Sequence, residues 1–181
     1  MRPSIFGSKV APFKFNGFIN KSKLDMVINH GGNSFEGRLS MDLLKKDVPY
    51  EWYFNFKRMD LRFAATQYFS GDPRNFLYLT ADWHMKGLFS NFWASEGELK
   101  IHDIRGKYVQ DLGSQTRSID IEQDEPVEIK FSEAGWKLVD DKALFLNARN
   151  VRMRISLPNC KPPENLGVKA TTIVDLSLLK E

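Results

Sequence analysis

Residues 49–58 read Pro-Tyr-Glu-Trp-Tyr-Phe-Asn-Phe-Lys-Arg, and large apolar side chains alternate with polar side chains along this stretch. A period of two is typical of a β-strand, in which successive side chains point to opposite faces of a sheet. The apolar set is Trp52, Phe54 and Phe56, and the polar set is Glu51, Tyr53, Asn55 and Lys57. The polar set is either a binding surface for a polar ligand or the solvated face of an antiparallel sheet.

The same alternation recurs on both sides of this strand. It is clearest in residues 35–43, 76–83, 127–131 and 151–157, and turn signals rich in Gly, Pro, Asn and Asp separate these segments. Residues 92–101 are interpreted as a further strand, whereas 84–91 and 102–117 are interpreted as irregular. Roughly nine or ten short strands without a long helical pattern predict an all-β protein with a two-sheet antiparallel β-sandwich.

Composition favours one folded domain. The chain has 181 residues, 42% of them hydrophobic, and contains 14 Phe and a single Cys. We predict an N-terminal arm at 1–16 and one domain at 17–181. Cys160 has no partner for an intramolecular disulfide, which favours a reducing compartment.

Charge and targeting signals narrow the function classes. The net charge of +3 is too small to predict nucleic-acid binding from charge alone. Arg152 and Arg154 share a strand face, which is either part of a basic surface that binds RNA or a solvated face with scattered cations. We find no apolar run long enough for a signal peptide or a bilayer span. The sequence predicts a soluble protein of the cytoplasm or nucleus that is not inserted in a membrane, and export without a signal peptide stays open.

Catalytic and metal signatures are not found in the sequence. His84 and His102 follow or precede aspartates, but their separation matches no metal-binding motif. Glu96 and Glu98 share one strand face, which is more typical of solvated surface than of an acid–base pair. We therefore predict no enzyme, no catalytic residue, no cofactor and no metal.

The last third of the chain carries a series of short motifs. In order, they are the segments Pro-Val-Glu-Ile (126–129) and Gly-Trp-Lys-Leu (135–138), a turn at 140–141 and Arg149. This order and spacing resemble the late part of a galectin carbohydrate-recognition domain. The resemblance implies a galectin- or concanavalin-like jelly roll. Relative to that pattern, extra residues fall at 59–75 and 102–116, where loops at the ends of a sandwich often carry specificity.

The resemblance extends to the candidate binding site. The family strand pattern His-x-Asn-Pro-Arg corresponds to Tyr53, Asn55 and Lys57, with Asn unchanged. The family pattern Trp-Gly-x-Glu-x-Arg corresponds to Trp93, Glu96 and Glu98, with the final Arg replaced. Lys offers one charged point where Arg offers a fixed fork, and Glu98 reverses a charge beside Glu96.

Two functions follow from this pattern. In the first, Trp93 packs on a sugar ring while Asn55 and Glu96 bond its hydroxyls, so that the protein recognises a galactoside-type or related glycan. In the second, a galectin-fold module that has lost sugar binding recognises a protein partner. The alternative for Trp93 is a core position, since either Phe92 or Trp93 must face inward. Galectins also self-associate through edge strands, which leaves a homodimer open.

Overall fold

The computed structural model describes residues 4–5, 8–9, 13–30, 34–61, 72, 74–112, 115–149, 151–158 and 167–174. These residues form fourteen β-strands and two 3₁₀ helices, η1 (Phe89–Ala94) and η2 (Val139–Asp141). The strands are β1 (Ser4–Ile5), β2 (Ser8–Lys9), β3 (Phe13–Asn20), β4 (Lys23–His30), β5 (Phe35–Asp42), β6 (Pro49–Asp60), β7 (Phe76–Leu88), β8 (Glu96–Leu112), β9 (Gln115–Gln123), β10 (Val127–Ser132), β11 (Gly135–Leu138), β12 (Leu144–Ala148), β13 (Val151–Ser156) and β14 (Lys169–Val174).

One large antiparallel sheet contains all of these strands except the β1–β2 pair. The sheet has 12 strands, and ten of them lie in the order β14-β13-β12-β9-β8-β7-β6-β5-β4-β3. The β10–β11 hairpin joins the sheet at the first half of β8, whereas β9 pairs with the second half. The all-β prediction is therefore confirmed, while the arrangement of this sheet as a two-sheet jelly roll stays a prediction.

Strand β6 is confirmed as the central amphipathic strand. Its register with β5 and β7 places Phe54 opposite Gly37 and Trp83, and Tyr53 opposite Arg38 and His84. Apolar residues of neighbouring strands therefore share one side of the sheet, and polar residues share the other. We call these the apolar side and the polar side.

Aromatic rings pack along the apolar side. Trp52 contacts Trp83 with ring centroids 5.0 Å apart, and Tyr50 stacks on Phe92 of η1 at 5.9 Å. Tyr50 is 5% exposed, and its hydroxyl shares a 2.6 Å hydrogen bond with the buried hydroxyl of Ser95. This bond fixes the turn between η1 and β8. A second cluster joins several strands through Ala81, Ile101, Val127 and Leu144.

Several predicted boundaries are wrong. Residues 84–91 are mostly strand rather than loop, since β7 continues to Leu88, and η1 occupies residues predicted to start the next strand. Residues 102–112 and 115–117 are also strand rather than irregular, because β8 continues to Leu112 and pairs with β9, which begins at Gln115. Gly106, one of the two glycines in that segment, is buried, and a Cβ there would lie 2.9 Å from Cδ1 of Leu77.

The N-terminal and C-terminal predictions are only partly covered. β3 begins at Phe13, inside the segment predicted as an arm, and pairs with β4 along its whole length. β14 begins at Lys169, earlier than the predicted strand at 173–179. Several predicted features lie outside the described residues. They are Cys160, most of the 59–75 insertion, residues 1–3, 6–7 and 10–12 of the arm, and residues 175–181.

Candidate functional site

The polar side of the sheet carries two cross-strand rows of hydrogen-bonding groups. Because the strands are in register, Tyr53 and Asn55 of β6 each lie in a row of polar residues that continues onto β5, β7, β8 and β10. The first row is Arg38, Tyr53, His84, Glu98, Lys130 and Lys137. The second row is Glu36, Asn55, Asp82, Lys100 and Glu128.

Asp82 is the centre of the hydrogen-bond network on this side. Its Oδ1 accepts a 3.0 Å bond from the Tyr53 hydroxyl and a 2.6 Å bond from the Asn55 amide nitrogen. Its Oδ2 lies 2.8 Å from Nε2 of His102. His102 reaches this position because the β7–β8 register shifts between Thr80 and Ala81. One carboxylate of β7 thus fixes the orientation of three side chains, two from β6 and one from β8, the strands on either side of it.

These contacts shift the pKa values of Asp82 and Tyr53. Partial burial raises the pKa of Asp82, but the hydrogen bonds from Asn55, His102 and Tyr53 outweigh burial, so the pKa lies below its usual 3.8. The pKa of Tyr53 is raised, first by burial and then by its bond to the Asp82 carboxylate. At neutral pH the centre is therefore an ionised acceptor that holds a neutral phenol.

Two further pairs order the neighbouring positions. Nε2 of His84 lies 2.8 Å from Oε1 of Glu51, and Nζ of Lys100 lies 2.7 Å from Oε1 of Glu98. The Lys100 bond is also the main reason that the pKa of Glu98 lies below its usual value. These side chains are partly exposed, so they are accessible to a ligand while their orientation is restrained.

A groove on the polar side leads from β3 to Tyr53 and His84. Its volume is about 770 Å³. Phe18 is 63% exposed and supplies an aromatic ring at the β3 end of the groove. The other lining residues that point to the polar side are Asn16, Asp25, Val27, Arg38, Ser40, Glu51, Tyr53 and His84. The groove therefore combines apolar surface with directional polar groups.

The structure brings some of the predicted site residues together but not others. Tyr53 and Asn55 share Asp82, and Lys57 follows them as an exposed residue before an irregularity in the β6–β7 register. Glu96 and Glu98 also lie on the polar side, with Glu96 exposed.

Trp93 lies among the rings of the apolar side rather than beside Tyr53. Its ring centroid is 5.5 Å from that of Phe92 and 6.3 Å from that of Trp136, and it is 43% exposed. Phe92 in turn packs on Tyr50 and Trp52, whose side chains point away from Tyr53. Phe18, unlike Trp93, is an exposed ring that lines the same groove as Tyr53.

The sequence did not indicate Asp82, His84 and His102 as members of the candidate site. The signal for Asp82 and His84 was present, since both alternate with Ala81, Trp83 and Met85 in β7. Their role depends on which residues of β6 and β8 lie opposite, and this register is not contained in the pattern of one strand.

Acidification is expected to remove the stabilisation that ionised Asp82 provides. Since the pKa of Asp82 is lower in the folded chain than in the unfolded chain, this stabilisation is present above the ordinary pKa of 3.8 and is lost as the pH falls through the folded value. In urea denaturation between about pH 5 and about pH 2, we expect the free energy of unfolding to fall more for the wild type than for Asp82→Asn. Equal falls in the two proteins would contradict this assignment.

Within the part of the chain that the structure describes, no three His, Cys, Asp or Glu side chains form a group that could hold a metal ion. Nor do the described residues include a helix of the length and apolarity that crossing a membrane requires.

Comparison with known proteins does not identify a family. No protein-family model, no curated protein and no solved structure matches the chain. The resemblance to galectins therefore stays a prediction, and the function is inferred from the geometry of the polar side.

Proposed function

We propose that the polar side of the sheet binds a glycan without catalysing a reaction, through the residues around Asp82. The observation that supports this most directly is the set of three hydrogen bonds to the Asp82 carboxylate. Sugar hydroxyls are bound by side chains that are already oriented, because ordering a free side chain on binding costs about 0.5–1.5 kcal/mol. The Asp82 network supplies such oriented groups.

The donors and acceptors of Asn55 and Tyr53 that are not used in bonds to Asp82 can form hydrogen bonds with sugar hydroxyls. The Asn55 amide nitrogen has a second N–H beyond the one donated to Asp82, and the Tyr53 hydroxyl has oxygen lone pairs beyond its donated proton. Phe18 offers an exposed ring on which the C–H face of a pyranose packs. A galactoside is the first candidate, since Tyr53, Asn55 and Lys57 occupy positions that resemble the galectin motif.

We propose that the large sheet that carries this site is folded into a layered jelly roll. It is supported by the core cluster, in which Leu144 and Ile155 of β12 and β13 pack with Ala81 of β7 and Ile101 of β8. β12 and β13 are separated from β7 by β8 and β9 in the strand order. Contact between side chains of such distant strands is expected where a sheet folds over itself.

The glycan proposal is tested by titration. Isothermal calorimetry of the wild type with lactose is expected to show saturable binding, and Asn55→Ala is expected to weaken it about tenfold, since one or two hydrogen bonds are lost. Asn20→Ala is the matched control, because Asn20 is exposed at the end of β3 outside this network. If neither lactose nor other glycans on an array bind, the proposal is wrong.

A protein partner is the second candidate. The supporting observation is β3, the outermost strand on its side of the sheet, where Phe15, Phe18 and Ile19 are 61%, 63% and 66% exposed. A partner that adds a strand to this edge would cover such side chains. Sedimentation of the purified chain separates self-association from a monomer. A bound protein that excess lactose does not release favours this candidate over glycan binding.

A further inference from the structure

Two lysines lie directly opposite each other at the far end of the first polar row. Lys130 of β10 pairs with Lys137 of β11 in the hairpin register. Like charges directly opposite in a sheet are destabilising. Nζ of Lys130 is 3.8 Å from Oε1 of Glu128, whereas Lys137 has no ion-pair partner among the described residues. The hairpin therefore presents positive charge that its neighbours balance only in part.

These lysines line a groove that continues from the proposed glycan site. This second groove has a volume of about 580 Å³ and is lined on the polar side by His84, Glu98, Lys130, Ser132 and Lys137. His84 also lines the larger groove that contains Tyr53 and Phe18. Lys130 is three strands away from Tyr53, which corresponds to roughly 14 Å across the sheet. A short oligosaccharide that lies across the strands would reach from one groove to the other.

Glu98 lies opposite Lys130 but balances the charge of the lysines only in part. Its carboxylate is bonded at 2.7 Å to Lys100 on the same strand. Among the residues of the two polar rows on β8, β10 and β11, the charges of Glu98 and Lys100 balance, and so do those of Glu128 and Lys130. The positive charge of Lys137 is left over, and Lys130 faces it. An anion between the two lysines would relieve their repulsion and interact with both.

We propose that the glycan bound on the polar side carries an anionic group, a sulfate, phosphate or carboxylate, which is held between Lys130 and Lys137. This inference rests on the proposed glycan function and specifies its ligand class. Ammonium groups on flexible stems act as point charges toward such oxyanions. Because both lysines are exposed, the contribution is salt-dependent and modest for each contact.

The test compares lactose with lactose 3′-sulfate by calorimetry at low salt. We expect the wild type to bind the sulfated sugar about tenfold more tightly. In the double variant Lys130→Gln/Lys137→Gln, the two sugars are expected to bind with equal affinity. The matched control is Lys169→Gln, which removes an exposed lysine of β14 and keeps the preference. Equal wild-type affinities for the two sugars, or a preference that persists in the double variant, would overturn the inference.

A separate arm distinguishes this inference from the glycan function itself. Inorganic sulfate is titrated into isotope-labelled protein, and saturable amide shifts at Lys130 and Lys137 are expected in the wild type but not in the double variant. If neither sugar binds but these shifts are observed, the glycan function fails and the anion site stands. If sulfate causes no saturable shift at the lysines, the anion site is overturned even when lactose binds. Circular dichroism checks that the double variant is folded.

Discussion

Gly97→Ala is expected to destabilise the protein by about 3 kcal/mol or more, because the backbone of β7 lies so close to Gly97 of β8 that a side chain has no room there. A Cβ at Gly97 would collide with the backbone carbonyl oxygen of His84 and lie 2.7 Å from Cα of Met85. Both groups belong to the backbone of β7, which is hydrogen-bonded on its other side to β6. The strand cannot yield without disturbing two ladders.

Thermal and urea unfolding measure this effect. For a chain of 181 residues, a loss of that size corresponds to a fall in Tm of roughly 6–12 °C. Gly17→Ala is the control, since Gly17 lies in the outermost strand β3 and its nearest neighbour, the Asp25 carbonyl oxygen, would be 3.3 Å from the new Cβ. We expect Gly17→Ala to cost about 1 kcal/mol or less. A Gly97→Ala protein as stable as the control would contradict the close approach of β7 and β8.

The all-β class and the central strand were predictable from the sequence because their signal is local. Alternation in β5, β6 and β10 puts apolar residues on one side whatever strand lies next to them. The second half of β8 escaped this reasoning, because Gly106 occupies a buried position of the strand without an apolar side chain to mark it. A glycine chosen for close packing looks the same in a sequence as a glycine chosen for a turn.

The candidate site was predictable only in part because it depends on register. Tyr53 and Asn55 are on one strand, and their shared side follows from a period of two. Asp82 contributes because β7 pairs with β6 so that Asn55 and Asp82 are opposite, and His102 contributes because of the shift after Thr80. Trp93 was placed by its similarity to a motif, yet η1 turns its ring toward Trp136. Whether residues of different strands come together depends on the distances between those strands, and a linear sequence motif does not contain these distances.

Asp82→Ala is expected to weaken glycan binding by roughly 30- to 150-fold, the largest effect of any single substitution at the proposed site. The substitution removes the common acceptor of Tyr53, Asn55 and His102. Each of these side chains then has to be ordered by the ligand, at about 0.5–1.5 kcal/mol each, or roughly 1.5–4.5 kcal/mol together. The middle of this range, about 2–3 kcal/mol, corresponds to the expected 30- to 150-fold loss. The loss therefore exceeds that expected from any hydrogen bond to the ligand alone.

Calorimetry separates this cause from a general loss of structure. The binding entropy of Asp82→Ala is expected to be less favourable than that of the wild type, because side chains that were fixed beforehand become ordered on binding. Asp82→Asn, whose Oδ1 still accepts one hydrogen bond, is expected to give an intermediate affinity. Asp120→Ala removes an exposed carboxylate of β9 outside the network and serves as the control with unchanged affinity. Wild-type affinity in Asp82→Ala would mean that a glycan does not depend on the network that Asp82 organises, and the binding site would then have to lie elsewhere on the sheet.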